Sequence, residues 1–197
     1  MKKFKILIPI YNDWKSVFKL LENIDLEIKN WNAIVSVLII NDASTEEKAI
    51  TKFNFQNLET VKIINMKENR GHARCIASGL KYLSKNEDFD YVIPMDGDGE
   101  DRPEEIKQLV DNLNYNSDKP IVGERVRRSE GIFFKFCYFI HKIITFIFTG
   151  QSIKFGNYTC LPKSIVEKMV NEKATWSSFS GSLSKIEKNR ATISSER

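Results

Sequence analysis

The sequence predicts an α/β fold in a single domain, with a mostly parallel central sheet flanked by helices. Four short aliphatic and β-branched runs lack the apolar–polar alternation of a half-exposed strand, as strands buried on both faces do. Segments with apolar residues at helical spacing separate these runs. Three of the runs end in polar clusters, Tyr11-Asn12-Asp13, Asn41-Asp42-Ala43-Ser44 and Asp96-Gly97-Asp98. Sheets of this kind gather their ligands at the carboxyl ends of the strands.

Phe4–Ile10 reads as the first buried strand, closed by Pro9 and Asn12. Asp13 is placed to cap a helix in which Val17, Leu20, Leu21, Ile24 and Ile28 share one face. Ile34–Ile40 is the second strand, and the turn after it can cap a further short helix. Thr60–Met66 is the third strand. Asn69-Arg70-Gly71 makes a turn into a helical segment, Arg70–Leu83. Asp90–Met95 is the fourth strand. Pro103 suits the first turn of a helix, where Glu104 and Glu105 are favoured by the helix dipole. Ile106, Leu109, Val110 and Leu113 give that helix its apolar face. Pro120–Gly123 predicts a short fifth strand, Pro162–Asn171 a helix, and Ala191–Ser195 an edge strand.

At 197 residues, with 42% apolar and 28% charged side chains, the chain can bury a core as one globular domain. The net charge of +4 includes no long basic run, and no nucleic-acid motif accompanies it, so nucleic acid is not expected as a partner. The three cysteines (Cys75, Cys137 and Cys160) form no CxxC pair and predict reduced thiols in the cytoplasm. The first apolar run is too short for a signal peptide. The longest apolar stretch, Ile132–Phe148, carries Lys135, His141 and Lys142. A spanning helix needs about 20 mostly uncharged residues, so spanning is not expected of it. His72 and His141 are the only histidines, and neither sits in a recognisable ligand motif.

Six carboxylates fall between Asp96 and Glu105, with only Arg102 among them. Like charges this close repel, so their position after a buried strand calls for a cation. Asp96 and Asp98, flanking Gly97, offer hard oxygen ligands suited to Mg2+ or Mn2+ shared with a substrate phosphate.

Ile8-Pro9-Ile10-Tyr11-Asn12, Asn41-Asp42-Ala43-Ser44, Asn69-Arg70-Gly71 and Met95-Asp96-Gly97-Asp98 resemble, in order and spacing, family 2 glycosyltransferases of the GT-A fold. The stretch from Asp96 through Pro103-Glu104 is similar to the branch of dolichol-phosphate mannosyltransferases and bacterial polyisoprenyl-phosphate glycosyltransferases. Val122-Gly123-Glu124-Arg125 and Gly156–Leu161 resemble its later motifs. The resemblance implies a metal-dependent, inverting transferase using a UDP- or GDP-linked sugar. Pro9, Tyr11 and Asp13 would line the base and ribose, and Asp42 would accept a hydrogen bond from the base. Gly71 would let the backbone approach the nucleotide, with Arg74 adding positive charge. Asp96, Gly97 and Asp98 would hold the ribose and the metal–diphosphate, with Asp96 and Asp98 as metal ligands. Asp98 and Arg125 would be catalytic, Arg125 through a phosphate. Residues 1–125 would then form the nucleotide-sugar part, and 126–197 the acceptor and membrane-facing part.

Members that transfer to a hydroxyl usually show a Glu-Asp pair in the later third of the domain, and none stands between Phe155 and Lys185. That favours a lipid-phosphate acceptor, with the 132–148 segment in peripheral contact with the cytoplasmic face of the membrane. The same segment also fits ordinary core or an interface between copies of the chain. Asn157 is neutral where the branch often has a charged residue, and the sequence ends at Arg197 without the spanning helices of anchored members. Two other functions stay open: transfer to a sugar hydroxyl in surface polysaccharide, and a non-catalytic scaffold of the same fold. Plainer roles also stand beside the sharper ones: Asp42 as a helix cap, Gly71 as a tight turn, Arg125 as solvated charge. A nicotinamide site is disfavoured because no GxGxxG follows the first strand.

Overall fold

Alternate side chains of the first strand, β1 (Lys2–Ile10), enter two different cores, because successive residues of a strand point to opposite faces. Phe4, Ile6, Ile8 and Ile10 go to one side and Leu7 to the other. The computed structural model describes residues 1–46, 54–125 and 155–195. β1 pairs in parallel with β2 (Ala33–Asn41) from Lys2↔Ala33 to Ile10↔Asn41. On its other side β1 pairs in parallel with β4 (Tyr91–Pro94). β3 (Thr60–Asn65) lies in parallel outside β2. Beyond β4 come β6 (Phe155–Pro162), β5 (Ile121–Arg125) and β7 (Ala191–Ser195), giving the order β3-β2-β1-β4-β6-β5-β7. β6 is antiparallel to both of its neighbours, and β5 and β7 are parallel. Only β6 therefore opposes the common direction.

Helices α1 (Trp14–Glu27) and α3 (Pro103–Asn112) cover one face, packing Val17, Leu21, Ile24, Ile106 and Leu109 against Ile6, Ile8, Val37 and Ile93. Helices α2 (His72–Asn86), α4 (Lys163–Asn171) and α5 (Phe179–Ile186) cover the other, packing Ile76, Leu80, Val166 and Leu183 around Leu7, Leu38 and Val92. The chain thus forms three layers.

Within the described residues the predicted strands and helices are present, with ends moved by a few residues. α3 starts at Pro103 with Glu104 and Glu105 in its first turn, as expected. Asp13 stands at the N-cap of α1, but its side chain makes no capping hydrogen bond. β6 was not legible as a strand because FGNYTCLP has glycine and asparagine directly after its first residue and mixes polar with apolar residues. It is nevertheless internal to the sheet, with Thr159 and Cys160 fully buried. α5 and a 3-10 turn at Lys173–Trp176 also lacked a clear sequence signal. Among the described residues no helix is long and apolar enough to cross a membrane. The 132–148 segment and the short helix expected after Thr45 lie, wholly or mostly, outside the described residues.

One buried carboxylate ties α1 to the segment entering β3. Asp25 accepts backbone hydrogen bonds from Gln56 (3.1 Å), Asn57 (2.8 Å) and Leu58 (2.8 Å). Burial alone would raise its carboxyl, but these N–H groups together hold it below the usual carboxylate range. Asp25→Ala removes the acceptor of three backbone donors, that of Leu58 buried, and should cost about 2–3 kcal/mol in urea unfolding at neutral pH. Because the folded carboxyl is depressed, its contribution is full above the unfolded value near pH 4 and is lost as pH falls further. The difference between wild type and variant should therefore shrink in acid, and a difference independent of pH would refute this account.

Candidate functional site

The strand order reverses direction at β1. The chain runs β1, β2, β3 outward on one side, then returns through α2 to place β4 on the other. Such a switch point leaves a crevice at the carboxyl ends of the two central strands. A cleft of about 420 Å³ lies there, lined by Pro9, Ile10 and Tyr11 from β1 and the residue after it, by Asp42 after β2, and by Asp96, Gly97 and Asp98 after β4. Asp13, His72, Cys75 and Asn157 complete it. A larger hollow of about 890 Å³ opens at the amino ends of the strands. Two of its carboxylates are already engaged, Asp90 by the Lys3 amide at 2.7 Å and Asp111 by Lys107 at 2.5 Å. The carboxyl-end cleft, at the switch point and lined by the polar clusters of three strand ends, is the candidate site.

The loops after β1 and β2 are stitched together by two asparagines. Asn12, at φ 61°, accepts the Thr45 amide (2.9 Å) and the Glu46 amide (3.1 Å) on its side-chain oxygen. Its own amide donates to Ser44 Oγ at 2.9 Å. Asn41 accepts the Ser44 amide at 3.0 Å and donates to Asn65 at 2.9 Å. These residues build the rim.

Asp42 is 4% exposed. Its Oδ1 accepts the Arg70 amide at 2.7 Å and its Oδ2 the Gly71 amide at 2.8 Å. Both donors sit at the start of α2, so Asp42 organises the Asn69-Arg70-Gly71 turn from across the site. Gly71 has φ 87°, a conformation that side chains resist. No atom lies within 4 Å of where its Cβ would be, so the turn opens onto free space. Beneath Asp42 the Cys75 thiol is pushed up to about 12 by burial, reinforced by its hydrogen bond to Asp42 and by that charge.

The turn after β4 is fixed from several sides. The Asp96 amide donates to Asp101 Oδ2 at 2.7 Å, and Asp101 is 1% exposed. Asp96 Oδ1 lies 3.0 Å from His72 Nε2 and 3.5 Å from Asn157 Nδ2. Gly97 leaves no room for a side chain, since a Cβ there would meet Ile10 Cγ2 at 2.9 Å and the Pro9 carbonyl at 3.2 Å. Asp98 is exposed, and its Oδ1 accepts the Glu100 amide at 2.9 Å. Among the described residues no three His, Cys, Asp or Glu side chains converge to hold a metal ion.

The fold thus brings Pro9, Tyr11, Asp13, Asp42, Asp96, Gly97 and Asp98 to one cleft, with Gly71 joined through Asp42. Arg74 is exposed on α2 and does not line it. Arg125 ends β5 opposite Ser195, with its side chain outside the described residues. His72, Cys75 and Asn157 belong to the cleft and were not singled out as site residues. His72 directly follows the Asn69-Arg70-Gly71 turn, which was the one available signal for it. Asn157 had stood out only as a neutral residue at a position the branch often charges.

Residues 5–165 match the glycosyl transferase family 2 domain. The chain is 29% identical over 185 residues to the undecaprenyl-phosphate 4-deoxy-4-formamido-L-arabinose transferase of Serratia proteamaculans, covering 89% of this chain and 54% of that protein. The Photorhabdus laumondii enzyme of the same name is 28% identical over the same shares. The chain therefore spans about half the length of these curated relatives. Among solved structures, S. aureus TarS 1-349 with UDP-GlcNAc superimposes with a TM-score of 0.64 at 14% identity, over 100% of this chain and 59% of that one. The mannosyltransferase PcManGT of Pyrobaculum calidifontis, in complex with GDP-Man and Mn2+, gives a TM-score of 0.61 at 16% identity, over 98% and 54%. These likenesses bear out the GT-A-type fold.

Two consequences of the cleft's packing are measurable. Gly97→Ala should destabilise the chain by about 1–3 kcal/mol through overpacking against β1, read as a fall in thermal midpoint. An unchanged midpoint would mean that the turn after β4 has slack. Cys75 should alkylate at mildly alkaline pH far more slowly than a free cysteine, and peptide mapping showing rapid labelling would contradict its buried contact with Asp42.

Proposed function

The chain belongs to glycosyl transferase family 2, and from that premise we propose that it moves a sugar from a nucleotide-sugar donor to a polyisoprenyl phosphate with the help of a divalent cation. The observation that carries this reading is the meeting of Asp42, Asp96 and Asp98 in the switch-point cleft. Relatives named for transfer to undecaprenyl phosphate supply the acceptor class.

In this reading Pro9, Tyr11 and Asp13 line the base and ribose end. Asp42 sits at the floor, where its two oxygens keep acceptor capacity beyond the bonds to the Arg70 and Gly71 amides and the Cys75 thiol. Asp96 and Asp98 hold the diphosphate end. Two carboxylates are few for an all-protein metal cage, but they suit Mg2+ or Mn2+, which complete their shells with water and substrate phosphates. Their oxygens are the hard donors such cations prefer. A bound cation would neutralise charge on the departing diphosphate. Arg125 is assigned to the same phosphates from the end of β5.

Transfer breaks the bond between the anomeric carbon and the donor's diphosphate oxygen and forms one to an oxygen of the acceptor. Attack from the face opposite the leaving group inverts the anomeric centre. A phosphate acceptor arrives already ionised and needs no general base, whereas a hydroxyl acceptor does. The absence of a Glu-Asp pair between Phe155 and Lys185 supports the phosphate acceptor. Such an acceptor places the protein on the cytoplasmic membrane face, with 132–148 as the contact.

Calorimetry with UDP and with GDP, with and without Mg2+ or Mn2+, tests donor binding. Wild type should bind one nucleotide in a cation-dependent way, and Asp98→Ala should weaken that binding at least about tenfold, since even outer-shell changes cost 10–100-fold in metal affinity. Unchanged cation dependence in the variant would remove Asp98 from the metal. With a labelled sugar donor and a short polyisoprenyl phosphate, label should move into the organic phase. Label found instead on aqueous saccharide would favour the hydroxyl acceptor, and no nucleotide binding at all would favour a scaffold.

A further inference from the structure

Three consecutive residues bridge the two carboxylate loops of the cleft. β2 and β4 lie on either side of β1, so Asp42 and Asp96 stand at the ends of strands that do not touch. Arg70 and Gly71 give their amides to Asp42, and His72 places Nε2 3.0 Å from Asp96 Oδ1. Gly71, at φ 87°, makes the reversal that lets successive residues face opposite sides of the cleft. Behind them α2 is held by Cys75, Ile76, Leu80 and Leu83, all buried against the sheet. We propose that His72 is a positioning residue for Asp96, and that Arg70–His72 couples the nucleotide end of the cleft to its diphosphate end.

The His72–Asp96 pair has little to offer as a stabilising contact. The two side chains are 46% and 23% exposed, and ion pairs and hydrogen bonds in such settings contribute little to stability. Its value lies in direction. Asp101 already holds the Asp96 backbone amide, but a carboxylate still rotates about its own Cα–Cβ and Cβ–Cγ bonds. An N–H on His72 donating to Oδ1, with Asn157 at 3.5 Å from the same oxygen, sets that rotation and so sets how the carboxylate faces the space beside Asp98. Outer partners of this kind orient first-shell carboxylates around a metal. A nucleotide that tightens the Arg70-Gly71 turn on Asp42 would, through the next residue, stiffen Asp96. This consequence rests on the nucleotide-sugar reading above, while the contact itself does not.

The test has two arms. With only His72 and His141 in the chain, imidazole ¹⁵N NMR at mildly alkaline pH is simple, and His72→Gln assigns it. His72 should carry its proton on Nε2 in the wild type, and Asp96→Ala should change its tautomer balance. An Nδ1–H tautomer, or a spectrum unmoved by Asp96→Ala, overturns the proposal. In the second arm Mn2+ binding is measured by calorimetry with and without UDP or GDP. His72→Ala should weaken Mn2+ binding about tenfold, and His72→Gln, which keeps a donor of similar reach, should restore most of it. Equal affinity in wild type and His72→Ala overturns the positioning role, as does a His72→Gln that is no better than alanine. A wild type that binds neither Mn2+ nor nucleotide, with the NMR contact present, overturns the function proposed above while supporting the His72–Asp96 contact.

Discussion

The carboxyl edge of this sheet is organised by the need to give donors to carboxylates removed from water. Asp42 and Asp101 are 4% and 1% exposed, and a buried charge without hydrogen-bond partners is strongly unfavourable. Each meets that need with backbone amides: Asp42 takes those of Arg70 and Gly71, and Asp101 takes that of Asp96. Backbone amides cannot move without moving the chain, so the two carboxylates fix the turns after β3 and β4. Asp25 does the same for residues 56–58, just before β3. The cleft is thus a consequence of charge satisfaction as much as of hydrophobic packing.

Much of this was visible in the sequence because it is local. Unbroken apolar runs announced β1, β2 and β4, and Pro103 with two glutamates announced α3. The polar cluster after each strand then followed from sheet geometry. What was not visible depends on contacts far apart in the chain. β6 is a strand because β4 and β5 flank it, although its residues have no strand pattern of their own. Asn157 reaches the cleft only because β6 runs back between those two strands. His72 carries no motif, and its partner Asp96 lies 24 residues on. Asp101 shows the limit most sharply. In sequence it is one more acidic residue in a crowded stretch, yet it is the buried one, and its neighbour Glu100 is exposed.

The crowding of six carboxylates between Asp96 and Glu105 resolves once these positions are known. Asp101 spends its charge on a backbone amide, and Glu105 on Ser195 Oγ at 2.6 Å, which ties α3 to β7. Glu104 stays in the first turn of α3, where the helix dipole favours it. With Glu104 exposed on α3, Asp96, Asp98 and Glu100 are the carboxylates left at the turn after β4 itself, so the demand for a counter-charge is local to that turn.

Asp96 and Asp98 are then unequal partners. Asp96 is held by Asp101 through its amide and by His72 and Asn157 through Oδ1, while Asp98 accepts the Glu100 amide from within its own turn. Groups arranged in advance stabilise developing charge without reorganising at the moment of reaction, and an exposed side chain such as that of Asp98 has room to adjust to the diphosphate that arrives. In the function proposed, Asp96 would supply the fixed reference of the site and Asp98 the adjustable one. Gly97 is what makes this arrangement possible: packed under Ile10 and the Pro9 carbonyl, it clamps the turn to β1 midway between the two aspartates, so that freedom in Asp98 does not pass back to Asp96.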